Sequence, residues 1–66
     1  MNKKAKHTVD VTTAALKLAH APGMKVETLY TMLRAEQQHQ FPDDMTEFYI
    51  DSLKAAITLM EQPMFD

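Results

Sequence analysis

The sequence predicts an all-α fold: a compact arrangement of three helices, a helical hairpin joined to a longer third helix, expected to pair as a homodimer. Three observations predict it. Apolar residues recur at helical spacing in three segments. Two clusters of helix-breaking residues, Ala21-Pro22-Gly23 and Gln40-Phe41-Pro42-Asp43, separate those segments. One glycine and three prolines in 66 residues are too few for a chain built of tight β-turns.

The first helix is expected from about Thr8 to His20. Val11, Ala15 and Leu18 fall on one stripe with Ala14 beside them. Thr8 or Asp10 would cap its start. Pro22-Gly23 would end it, because the residue before proline leaves the α region and glycine permits a reversal. The second helix is expected from about Val26 to His39, with Val26, Leu29, Tyr30 and Leu33 on its apolar face and Glu27 in its first turn, where a carboxylate favours the helix dipole. The third opens at Pro42-Asp43-Asp44. Asp44 and Glu47 have the spacing of a capping box. Met45, Phe48, Tyr49, Leu53, Ala56, Ile57 and Met60 follow at helical spacing, and Pro63 stops the run. The short links make the helices neighbours.

This organisation gives a flexible basic arm at 1–7, a single helical domain at 8–62 and a tail at 63–66. The arm carries Lys3, Lys4 and Lys6 and no acid, while residues 8–66 carry four basic against nine acidic side chains, a net of −5. An acidic body suits basic protein surfaces and disfavours nucleic acid. The third helix sets Asp43, Asp44, Glu47, Asp51 and Glu61 against one lysine, Lys54, so as a recognition helix it would be repelled by phosphate. Direct DNA binding is therefore not expected, and only Lys3, Lys4 and Lys6 are left as a nucleic-acid arm. Asp10 and Lys17 interrupt any signal-peptide core, and no stretch approaches a membrane span. A cytoplasmic protein is expected, in keeping with the absence of cysteine.

The residues offer little for catalysis. Ser52 is the only serine and lies among apolar neighbours, and Gly23 is the only glycine, so no phosphate-cradling loop exists. A chain this short is expected to lack a cleft of about 300 Å³ or more. Glu36 and His39, spaced i, i+3, resemble half of a di-iron helical pair, but they sit at a polar helix end. No enzyme activity, metal, cofactor or small-molecule substrate is expected.

What remains is a surplus of large apolar side chains. A domain of this size buries only about 60% of its unfolded surface, and aromatic and methionine residues are enriched at interfaces. The expected dimer or partner surface is Tyr30 and Met32 of the second helix with Phe48, Tyr49, Ile50, Leu53, Ile57 and Met60 of the third. Glu47 and Asp51 would steer a basic partner.

The order of an apolar first helix (Val11 to Leu18), a glycine turn (Gly23), a second helix with Val26, Leu29 and Leu33, and a long third helix (Asp44 to Met60) resembles the small biofilm-development and acid-resistance connector regulators (YmgB/AriR-like). That resemblance covers about residues 9–60. It implies a helical homodimer acting by direct contact on a transcription regulator or phosphorelay component. Val26-Glu27-Thr28-Leu29 followed by Phe41-Pro42-Asp43 and Phe48-Tyr49 is also similar to the Hha-type modulators, which implies the nucleoid protein H-NS as a partner. A phage-type inhibitor of a host protein would carry the same surface features.

Overall fold

Lysine and alanine are strong helix formers, and they begin the first helix earlier than apolar spacing alone predicts. The computed structural model describes residues 3–62, with side chains from Lys6 onward. In it α1 runs Lys3–Ala19. The run expected as a flexible arm is therefore largely the opening of a helix, because nothing in it breaks one. The β-branched Thr12 and Thr13 are accommodated by turning their hydroxyls onto the carbonyls of Thr8 and Val9. His20 and Ala21 close the end with N–H bonds to Leu16 and Leu18. Gly23 then takes φ +75°, the left-handed conformation that other residues adopt only with strain.

Helix α2 runs Val26–Gln37, two residues shorter than expected. The N–H groups of Gln38 and His39 reach back three residues, to Ala35 and Glu36, which tightens the last turn into the link. Helix α3 runs Asp44–Glu61. Its cap is Asp43 rather than the expected Asp44–Glu47 box. The Asp43 carboxylate accepts from the Thr46 N–H at 2.8 Å and from the Thr46 hydroxyl at 2.9 Å. At the other end Gln62 donates to the Thr58 carbonyl. The expected stop at Pro63 and the tail lie outside the described residues.

Helix α3 packs against both α1 and α2, and among the described residues α1 and α2 do not pack on each other. The molecule is a layer of 37 × 31 × 18 Å with α3 in the middle. Tyr30, early in α2, meets Glu61 at the end of α3, so these two helices are antiparallel. Ala15 of α1, Leu29 of α2 and Leu53, Ala56 and Ile57 of α3 form one buried cluster. Buried and half-buried residues of α3 wrap more than half of its circumference. No helix of the described residues is long and apolar enough to cross a membrane.

Candidate protein-interaction surface

The link at 38–43 turns the chain from α2 into α3 and carries its one large apolar residue away from the core. Phe41 is consequently 88% exposed, and Met45, one turn into α3, is 71% exposed. These are the two most exposed large apolar side chains described. An open cleft of about 410 Å³ is lined by Met45, Phe48, Tyr49 and Thr46 of α3, with Glu36, His39 and Asp43 on the α2 and link side; Phe41 is not part of its lining. The cleft is larger than the sequence led one to expect. It is a surface depression between two helix ends, so it takes no volume from the core.

The electrostatics of the cleft are one-sided. Glu36 and His39 approach to 3.4 Å. The backbone N–H of Thr46, and then its hydroxyl, hold the Asp43 carboxyl below the usual aspartate range, so it stays anionic at neutral pH. Asp44 and Glu47 are exposed on the same first turn. No lysine or arginine lines the cleft. Among the described residues no group of three or more histidine, aspartate or glutamate side chains is placed to hold a metal ion.

The sequence-predicted surface does not stay together. Phe48 and Tyr49 are half-buried and do line the cleft. Tyr30 lies at the far end of the layer, where its hydroxyl donates to Glu61 at 3.0 Å. That bond, with some desolvation and the Glu61 charge, raises the Tyr30 pKa. Leu53 and Ile57 must be corrected: both belong to the core, Leu53 with no exposure at all, and neither can meet a partner while the domain is folded. Two flanking helices, α1 and α2, cover that face of α3. Met32 and Met60 pack against the same cluster, and Ile50 is half-buried.

Of the steering residues, Glu47 is exposed, whereas Asp51 is engaged by His7 of α1 at 3.0 Å. The His7 ring also stands edge-on to Phe48, with centroids 6.0 Å apart. Lys6 is exposed on α1, and the side chains of Lys3 and Lys4 lie outside the described residues. Ser52 is fully buried and donates its hydroxyl to the Phe48 carbonyl at 2.8 Å. Sequence reasoning did not select Met45, Glu36 or Asp43 for this surface. Their shared signal is proximity to a short proline-containing link with an aromatic residue in it.

Compared with protein-family models, with curated proteins and with solved structures, the chain has no match in any of the three.

Proposed function

We propose that this chain is a small regulatory protein that acts by binding another protein, with the α2–α3 corner as its docking surface. One observation carries this: Met45, 71% exposed, lines an apolar-floored cleft together with Glu36 and Asp43 and with no lysine or arginine, and the link that leads into it carries the 88% exposed Phe41. The chemistry that fits is a segment with an apolar or aromatic anchor and a neighbouring lysine or arginine. The anchor fills the space over Phe48 and Tyr49, and the base meets Glu36 and Asp43. A bacterial transcription regulator or phosphorelay component is the partner class that the family resemblance implies. No enzymatic step enters this proposal, since the single serine is buried with its hydroxyl bonded to its own helix.

The test is affinity capture from bacterial lysate with four baits: wild type, Phe41→Asp, Met45→Asp and the control Thr28→Asp on the solvent face of α2. We expect one protein to be retained by wild type and control and to fall at least about tenfold with either corner variant. Its retention should also weaken as salt rises. A partner held equally by all four baits would place docking elsewhere and overturn the proposal.

A further inference from the structure

The outer face of α1 carries Val9, Thr12, Thr13 and Leu16 within about 100° of arc. Val9 is 62% and Leu16 44% exposed. A surface helix ordinarily turns charged side chains outward along this line. Here the polar groups are two threonines, and both hydroxyls donate to carbonyls of their own helix at 2.9 and 3.0 Å. Burying the stripe would leave neither hydroxyl proton without an acceptor.

One flank of the stripe carries Lys6, Asp10 and Lys17, all exposed and none in an ion pair among the described residues. The other flank carries Thr8 and Ala19. When two copies meet on this stripe with their axes antiparallel, like flanks face each other. Thr12 and Thr13 lie at the centre, Val9 of each copy faces Leu16 of the other, and Asp10 of each comes opposite Lys17 of the other. A parallel pairing instead sets the charged flank against Thr8 and Ala19 and gains no charge complementarity.

We propose that a second copy of this chain packs antiparallel on the outer face of α1, through Val9, Thr12, Thr13 and Leu16, with two reciprocal Asp10–Lys17 pairs fixing the direction. The interface is isologous, so it closes at a dimer. It shares no residue with the cleft and stands whether or not the cleft binds a partner. Two single helices meeting along four residues bury less than the ~1,200 Å² of a standard interface, so the dimer is weak and its dissociation constant falls between about 1 μM and 1 mM.

Sedimentation equilibrium of the full chain tests it, with loading from about 10 μM to about 1 mM and circular dichroism on each variant to show that its helix content is kept. Wild type is expected to pass from monomer to dimer across that range. Leu16→Asp, on the solvent side of the helix, is expected to weaken association at least about tenfold. Asp10→Lys alone and Lys17→Asp alone should each weaken it severalfold. An equimolar mixture of those two variants should associate again, because positions 10 and 17 are then both lysine in one copy and both aspartate in the other, so each reciprocal contact joins opposite charges. A wild type that stays monomeric to the highest loading overturns the proposal. So do single charge variants that associate as wild type does, or a mixture no better than its components.

Discussion

Helices α3 and α1 are of similar length, 18 and 17 residues, and both carry apolar residues at helical spacing, yet they use them differently. Lying between two neighbours, α3 buries residues over more than half of its circumference and turns its acids to solvent. At the edge of the layer, α1 buries Ala15 with Ala14, Leu18 and Ala19 half-covered, and leaves Val9 and Leu16 outside. The difference teaches that an apolar residue on a helix reports a neighbour somewhere, while the architecture decides whether that neighbour belongs to the same chain.

Substitution of one leucine on each helix is the strongest way to break this comparison. Leu53→Ala should cost about 2–5 kcal/mol, close to the whole stability that a core of this size supplies, about 3–5 kcal/mol. Thermal denaturation followed by circular dichroism should find it largely unfolded at 37 °C. Leu16→Ala should stay within about 0.5 kcal/mol of wild type, as surface changes usually do. Equal losses at the two positions would mean that α1 is not an edge helix.

The start of α3 gives the next effect. Asp43→Ala removes the acceptor for the Thr46 N–H and should lower the Tm by about 5 °C at neutral pH. The Asp43 pKa is lower in the folded state than in the unfolded chain, so the unfolded state binds protons first as pH falls. The carboxylate's contribution is complete above the unfolded pKa and disappears as pH drops through the folded one. Wild type and Asp43→Ala should therefore converge in Tm in acid. Tyr30 has the opposite sign: its raised folded pKa gives a contribution that is complete below the ordinary tyrosine range and lost as pH climbs through the folded value. Tyr30→Phe should shift the Tm by only a degree or two at neutral pH and should flatten the alkaline side of the stability profile.

The smallest effect sharpens the comparison at the α1–α3 contact. His7 and Asp51 are about half exposed, and an ion pair in water contributes at most about 1 kcal/mol. Asp51→Asn should move the denaturation midpoint by less than about 0.5 kcal/mol equivalent. A loss several times larger would show that His7, with its edge-on contact to Phe48, holds α1 in place.

Periodicity made the three helices and the two breaks between them legible, and the core residues Ala15, Leu29, Leu53, Ala56 and Ile57 all lay on the stripes it defined. The failures have physical causes. Pro42-Asp43-Asp44 offers two adjacent caps, Asp43 to Thr46 and Asp44 to Glu47, and only the backbone path chooses between them. The opening lysines have no apolar period, so α1 was begun at Thr8 although lysine and alanine extend helices well. Leu53 and Ile57 were assigned to an interface because a helical wheel shows which face is apolar and not how many neighbours cover it. The cleft at the corner depends on the distance between two helix ends, which no pattern along the chain encodes. Met45 was counted with the apolar stripe of α3, where it sits one turn too early to be covered.

The absence of packing between α1 and α2 has a consequence for the order in which the molecule assembles. The α2–α3 hairpin is closed by the short link at 38–43, whereas α1 meets α3 only across the whole of α2. Closing the shorter loop loses less chain entropy, and contacts near in sequence form sooner, so the hairpin should form first and α1 should dock onto it afterwards. The native state should open by the reverse route. Amide hydrogens of α1 are expected to exchange through an opening that leaves α2 and α3 paired, ahead of those around Leu53 and Ala56, which exchange only when the whole chain unfolds.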